Sequence, residues 1–212
     1  MSTHAVWYFD VISPFAYLQW QRIRTLRDCS FELRPILFAG LLNLHGHKGA
    51  AEIPGKRLFS YRHVQWRAAR DGIAFTFPPA HPFNPVTALR LCVAAGATPA
   101  AVDTVFDFLW REGRLPDTPE RIAELAARLG IADPAAALED AGVRATLQHN
   151  FDRAVADGIF GVPSVLIDGQ LFWGEDATDM FLDYLHDRAL FDTPEMRRLA
   201  DLPVGAVRKP AG

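Results

Sequence analysis

The sequence predicts an α/β fold, and three observations carry the prediction. Strand-type runs lie near both ends of the chain. A series of capped helical segments fills the middle. Half of the 212 residues are hydrophobic and 22% are charged, enough apolar material for a core and too much for a disordered chain. The length fits one large domain or two small ones.

Val6-Trp7-Tyr8-Phe9 is a run of aromatic and β-branched residues and reads as the first strand. Residues 10–13 make the turn that follows. A helix is expected over about 14–27, with Phe15, Leu18, Ile23 and Leu26 on one face. A second extended run covers 31–38 and is interrupted by Pro35. Strand, helix, strand is the unit that makes parallel strands.

From about 41 to 157 the pattern is helical. Asn84-Pro85, Thr98-Pro99, Thr118-Pro119 and Asp133-Pro134 each read as an N-cap followed by proline at the first helical position. Gly72, Gly96, Gly113, Gly130 and Gly158 fall where helices should stop. About six helices and no strand are expected in this block. Strand character returns in Ser164-Val165-Leu166-Ile167 and Gln170-Leu171-Phe172-Trp173. The Asp168-Gly169 pair between them supplies the positive φ values of a tight hairpin. A last main helix is expected over about 176–188, then one short helical stretch in a tail ending in Pro210 and Gly212. The simplest architecture is one α/β domain built from residues 1–40 and 158–212, with an all-helical domain, residues 41–157, inserted between them.

Charge and composition exclude several classes. The chain carries 22 Lys+Arg against 25 Asp+Glu, a net charge of −3, which gives no support for binding nucleic acid or a membrane surface. No stretch approaches the roughly 18 apolar residues of a membrane span. The first ten residues lack a basic region followed by an apolar run, so no signal peptide is expected. Cys29 and Cys92 are too few for a disulfide scaffold or a cysteine-rich zinc site. The seven histidines include neither His-x3-His nor HExxH, so no metal site is expected. A cytoplasmic protein is the default expectation.

The chemistry concentrates at the first helix. Ser13 is a good N-cap, and Pro14 costs nothing at a position whose N–H would be unpaired. The free N–H groups of a helix start favour an anion or thiolate. Gly161-Val162-Pro163-Ser164 directly precedes the hairpin. The order β-α-β, helical block, Val-Pro, β-β-α is the thioredoxin-like layout, in which a cis-proline before the third strand sits beside the start of the first helix.

Tyr8-Phe9-Asp10-Val11-Ile12-Ser13-Pro14-Phe15-Ala16-Tyr17-Leu18 resembles the N-terminal signature of 2-hydroxychromene-2-carboxylate isomerases. These are relatives of kappa-class glutathione transferases and DsbA-type oxidoreductases. The resemblance recurs in Gly46-His47-Lys48-Gly49, Ile53-Pro54-Gly55-Lys56, His81-Pro82-Phe83-Asn84, the 158–164 segment and Phe172-Trp173-Gly174-Glu175-Asp176. DsbA-type enzymes need two thiols three residues apart at the helix start; Ser13 and Ala16 stand there instead.

The resemblance therefore implies that glutathione supplies the sulfur. Ser13 is the candidate catalytic residue, donating a hydrogen bond that helps hold glutathione as thiolate. Val162, before the presumed cis-Pro163, would pair its backbone with the cysteinyl part of glutathione. Asp176 would meet the γ-glutamyl ammonium, with Glu175 beside it, and Lys56 a glutathione carboxylate. Asp176 and Glu175 also read as first-turn acids of a helix, and Lys56 as an exposed loop charge. Tyr61, His63, Phe83 and Asn84, together with Trp66 and His81, would line the wall for an aromatic, anionic substrate. Asn84 also reads as a helix cap, and Trp173 as either a lining or a core aromatic. The implied activity is glutathione-dependent isomerisation of an aromatic 2-hydroxychromene-2-carboxylate-like acid. A kappa-type transferase or peroxidase and a non-catalytic thioredoxin-fold binding module are the alternatives. Members of the family are often dimers, which makes a homodimer an expectation.

Overall fold

The computed structural model describes residues 3–207. Pro210 and Gly212 of the tail lie outside them, as do Met1 and Ser2. The strands are β1 (Thr3–Phe9), β2 (Cys29–Pro35), β3 (Ser164–Ile167) and β4 (Gln170–Trp173). They form one mixed sheet in the order β2-β1-β3-β4. β1 runs parallel to β2, from Thr3 opposite Cys29 to Phe9 opposite Pro35. It runs antiparallel to β3, with Tyr8 opposite Ser164. Continuing that register brings Pro163 and Val162 alongside Phe9 and Asp10. The end of β1, the approach to β3 and the start of α1 (Pro14–Ile23) thus share one end of the sheet.

The period-2 alternation of β1 sorts its side chains between the two faces. Trp7 and Phe9 enter the larger core, where their rings stack 4.3 Å apart and Trp20 of α1 stacks on Trp7 at 5.1 Å. Tyr8 faces the smaller cluster with Ile36, Leu41, Ala154 and Ile159. The larger cluster continues without a break into the helical block through Val64, Leu89, Val105, Trp110 and Leu125.

Between β2 and β3 lie α2 (Phe38–Leu44), α3 (Pro54–Arg70), α4 (Val86–Ala94), α5 (Pro99–Phe106), α6 (Pro119–Arg128), α7 (Pro134–Glu139) and α8 (Ala141–Ala156). A 3-10 turn at Ala50–Glu52 and a π turn at Asp107–Arg111 interrupt them. α9 (Thr178–His186) and α10 (Pro194–Ala200) follow the hairpin. Thr98, Thr118 and Asp133 accept from the N–H three residues on, as expected of N-caps. Asn84 is different. Its Oδ1 accepts from Val86 N at 3.0 Å, and Pro85 takes the cap position. The five glycines expected at helix ends all have positive φ. Asp168 and Gly169 take φ 50° and 76°, the hairpin turn the sequence predicts.

The expected second strand over 31–38 ends early, at Pro35, and Phe38 opens α2. The cause is a distant cap: Asp10 Oδ2 accepts from Phe38 N at 2.8 Å. The first helix stops at Ile23 rather than near residue 27. Among the described residues no helix is long and apolar enough to cross a membrane.

One buried polar side chain ties these elements together. Gln19 of α1 is fully buried; it accepts from Trp7 Nε1 at 2.7 Å and donates to Gly174 O at 2.9 Å and Thr178 Oγ1 at 3.2 Å. It therefore fixes α1 against both β1 and the turn after β4. Each buried partner left unpaired costs about 1–3 kcal/mol. Gln19→Leu is expected to lower unfolding stability by about 3 kcal/mol in urea titration, with an unchanged m-value.

Candidate functional site

The site begins where β1 stops. Asp10 is fully buried, and its Oδ1 accepts from Ile12 N at 3.1 Å while Oδ2 holds the start of α2. Asp10 O also accepts from Ser13 N at 3.1 Å. Trp110, on the π turn, donates from Nε1 to Val11 O at 2.8 Å. His81 Nε2 lies 3.0 Å from Ile12 O, which can only accept, so that nitrogen carries the proton. Both peptide planes between Val11 and Ser13 are thereby held at each end.

Ser13, half-buried, follows with φ −86° and ψ 113°. Its Oγ accepts from Ala16 N at 3.2 Å and its carbonyl from Ala16 N and Tyr17 N. Capping uses the hydroxyl as acceptor only. Its proton, and the N–H of Phe15 in the first turn, find no partner among the described residues. The cap and the ligand-facing donor are therefore compatible roles of one side chain.

The Val162–Pro163 bond is cis. Among the described residues neither the N–H nor the C=O of Val162 has a hydrogen-bond partner. Pro163 O accepts from Gly174 N at 2.9 Å, which docks the turn after β4 onto this segment. Asp176 is exposed and precedes α9 by two residues. Gly174 has φ 94°, and a Cβ there would lie 2.3 Å from Asp176 Oδ1, so glycine is required for the carboxylate to fold back against the turn. Glu175 is placed differently. It is 3% exposed, and its Oε1 lies 2.5 Å from the Arg67 guanidinium and 3.5 Å from Arg22. Its carboxylate faces the protein interior, not the surface that carries Asp176.

Helix α3 packs on the start of α1 through His63 and on the turn before α9 through Arg67. Lys56, Phe59, His63 and Arg67 follow i, i+3, i+7, i+11 spacing and share one face. His63 packs 5.8 Å from the Phe15 ring, and Arg67 meets Glu175. The stretch from Lys56 to Arg67 spans about 16 Å at 1.5 Å per residue. Lys56 is exposed in the first turn of α3, not in a loop, and neither a salt bridge nor a first-turn acid offsets it among the described residues. A cation there adds to the positive helix end instead of opposing it.

Tyr61 and Phe83 belong to a second aromatic group, centred on His81. The His81 ring lies 5.3 Å from Tyr61, 5.9 Å from Phe83 and 5.5 Å from Trp110. The Tyr61 hydroxyl lies 2.8 Å from His81 Nδ1 and 2.6 Å from His81 O. Burial pushes the His81 pKa down, with the Ile12 carbonyl opposing, and pushes the Tyr61 hydroxyl up. Asn84 is exposed, with its Oδ1 engaged by Val86. Trp66 is exposed on α3, at a shallow open depression it shares with Tyr61, Arg62, Gln65, Ala69 and Phe77. Trp173 is a surface aromatic, half-exposed and packed on Phe160 at 5.0 Å.

Sequence reasoning missed the holding role of three residues. Asp10, His81 and Trp110 act on backbone groups, and no spacing rule marks such contacts. The π turn under Trp110 is a local feature of a kind that recurs at functional sites. Cys29 and Cys92 are buried; burial raises both thiols, Cys92 to about 12.

Comparisons with known proteins give a consistent picture. A family profile described as DSBA-like thioredoxin domain matches residues 6–186. The 2-hydroxychromene-2-carboxylate isomerase of Sphingobium xenophagum is 25% identical over 189 residues, covering 85% of this chain and 96% of that protein. Glutathione S-transferase kappa 2 of Caenorhabditis elegans is 26% identical over 201 residues, covering 84% and 89%. A solved structure of a 2-hydroxychromene-2-carboxylate isomerase superposes with a TM-score of 0.76 at 23% identity, over 95% of this chain and all of that one, a likeness of fold.

Burial raises the Asp10 pKa from 3.8 to about 7, against the N–H groups of Phe38, Ile12 and Val11, which lower it. The folded state then binds more protons than the unfolded chain between these values. Asp10 therefore makes stability fall as pH rises from about 4 to about 7, by a few kcal/mol in total. Asp10→Asn is expected to remove that slope. It should also cost about 1–3 kcal/mol at low pH, because an amide NH2 then faces a backbone donor. Urea unfolding across this pH range measures both effects.

Proposed function

The chain belongs to the DSBA-like thioredoxin domain family, and from that membership we propose that it is a glutathione-dependent isomerase of 2-hydroxychromene-2-carboxylate-like aromatic acids, forming trans-o-hydroxybenzylidenepyruvate. One observation carries the reading. At the helix start where disulfide chemistry requires a pair of thiols, Ser13 offers an unpartnered hydroxyl proton and Ala16 offers nothing. Such a site can hold a thiolate but cannot exchange a disulfide. The names of the 25–29% identical bacterial relatives supply the substrate class.

In chemical kind, the donor set suits glutathione. The unpaired backbone of Val162, fixed beside cis-Pro163, suits its cysteinyl peptide group. Asp176 suits its ammonium, and Lys56 at the start of α3 suits a carboxylate. Glu175, expected as a further ligand, contributes in this reading by fixing the turn through Arg67 and Arg22. When bound, glutathione supplies a soft nucleophile that adds reversibly to a conjugated carbon and is released unchanged.

The chain's own residues set the conditions for that chemistry. Ser13 donates to the sulfur, and the first-turn N–H of Phe15 adds positive potential; both favour the ionised form. The rigid loop holds the hydroxyl in place, so its orientation need not be selected at each turnover. His63, packed on Phe15 beside Ser13, supplies the aromatic surface next to the sulfur site, while Tyr61 and Phe83 belong to the separate group around His81. In this reading His63 steadies the substrate carboxylate, and Asn84, whose Oδ1 accepts from Val86 N, has only its amide N–H groups to add. The glutathione pool that such an enzyme needs places it in the cytoplasm.

A second reading has its own support. The kappa-class relative from Caenorhabditis elegans is as similar as the isomerases, and a transferase or peroxidase would consume glutathione. Product analysis separates the two. An isomerase leaves glutathione at its starting concentration, whereas a transferase leaves an adduct and a peroxidase a disulfide.

Ultraviolet difference titration with reduced glutathione is expected to give a saturable thiolate signal with a pKa below that of free glutathione. Ser13→Ala should raise that pKa by about one unit while binding changes less, since one charge-assisted hydrogen bond is lost. An unchanged pKa removes Ser13 from the chemistry. Asp176→Asn should weaken glutathione binding about tenfold, the loss of one exposed ion pair and its hydrogen bond; unaltered affinity returns Asp176 to a helix-start role.

A further inference from the structure

The two peptide planes ahead of Ser13 are held by groups of different origin. Asp10 holds the Ile12 and Ser13 N–H groups from within the loop, and Trp110 holds the Val11 carbonyl from the π turn. The Ile12–Ser13 plane is the one that sets the direction of the Ser13 side chain. Its N–H is bound by Asp10 O at 3.1 Å, and its C=O is bound by His81 Nε2 at 3.0 Å. Ile12 O has no other donor among the described residues.

His81 is itself braced. Its proton is fixed on Nε2 by the Ile12 carbonyl, which leaves Nδ1 facing the Tyr61 hydroxyl at 2.8 Å. That hydroxyl has a second acceptor in range, His81 O at 2.6 Å. The rings of Phe77, Phe83 and Trp110 surround the His81 ring in edge-to-face geometry, at 5.5 to 6.3 Å between centroids. The imidazole therefore has little freedom to rotate away from Ile12. The chain of contacts runs from α3 through Tyr61 and His81 to the Ser13 backbone.

We propose that His81, braced by Tyr61, is a positioning residue for Ser13: it fixes the Ile12–Ser13 peptide plane and through it the aim of the serine hydroxyl. This rests on the reading of Ser13 as the group that holds a glutathione thiolate. His81 touches neither sulfur nor substrate in this role. Without it the Ile12 carbonyl loses its one donor, and the peptide turns toward water or another partner. Displacements of the order of 1 Å at a reacting group can cost about a hundredfold in rate, so a tilt of this plane is enough to matter.

The test compares His81→Phe with His81→Gln. Phenylalanine keeps the ring within the aromatic group but removes both hydrogen bonds. Glutamine keeps an amide N–H able to reach the Ile12 carbonyl. Amide hydrogen exchange of the folded protein without glutathione is the first readout. Ser13 and Ala16 are expected to exchange about tenfold faster or more in His81→Phe, with most of the protection restored in His81→Gln. Exchange equal to wild type in His81→Phe overturns the proposal. The second readout is the thiolate pKa of bound glutathione, which should rise by about one unit in His81→Phe and recover in His81→Gln. A lower melting temperature in both variants alike, without this rescue, marks a merely structural role and overturns the proposal. If wild-type protein gives no thiolate signal, the glutathione reading fails by itself, and the exchange comparison still decides whether His81 holds the loop.

Discussion

The start of α1 can present a serine to a ligand because the two peptide planes before it cannot turn. Four hydrogen bonds hold them, from Asp10 Oδ1, Asp10 O, Trp110 and His81. Each contributes about 0.5–1.5 kcal/mol net, and ordering a residue costs about 1–2 kcal/mol. For a two-residue segment these nearly cancel. The loop is thus ordered at little net cost, provided every pin is present. Asp10 does this twice over, since its second oxygen starts α2. One buried carboxylate couples the turn after β1 to the turn after β2, and the fold tolerates its poor solvation because both oxygens are used.

A second constraint sets the place of α3. Helix α3 is held against α1 and the start of α9 by Glu175, buried between Arg67 and Arg22. The chain has many ion pairs, and they are not equal. Those of Arg114 and Arg128 with Glu112 and Glu124 lie about a third exposed, where a pair contributes about 0–1 kcal/mol. Breaking a buried pair costs about 3–5 kcal/mol because a bare charge is left behind. Glu175 therefore sets the spacing between the face carrying Lys56 and His63 and the turn carrying Asp176. The neighbouring acids Glu175 and Asp176 divide the work: one fixes the frame, the other meets solvent.

What the sequence made legible follows from range. The hairpin, the caps at Thr98, Thr118 and Asp133, and Ser13 as N-cap are short-range features, each decided within three or four residues. The cis-proline was readable only through the order of the elements. The misread boundary at Phe38 depends on a carboxylate 28 positions away, which no local pattern encodes. Glu175 looked like a ligand because its neighbour does; its burial depends on arginines from two other helices. Lys56 looked like a loop charge because Pro54 and Gly55 precede it, yet proline at the first helical position is compatible with the helix it opens. Trp173 is exposed for a comparable reason. A Cβ at Gly161 would meet its indole at 2.3 Å, so the ring lies across a glycine on the surface.

These constraints bear on the choice of serine over a thiol pair. The chain's two cysteines are buried and protonated at neutral pH, far from the ionised state that sulfur chemistry needs. A cysteine at position 13 would compete with an external thiol for the same first-turn N–H groups and could be trapped as a mixed disulfide. A serine hydroxyl stays neutral, cannot be oxidised to a disulfide, and keeps its proton for an incoming anion while its oxygen caps the helix. On the proposed reading of Ser13 as the group that holds a thiolate, fixing that hydroxyl is the local requirement. The fold meets it with groups drawn from β1, the helical block and the loop after α3, which is why a site of one serine draws on so much of the chain.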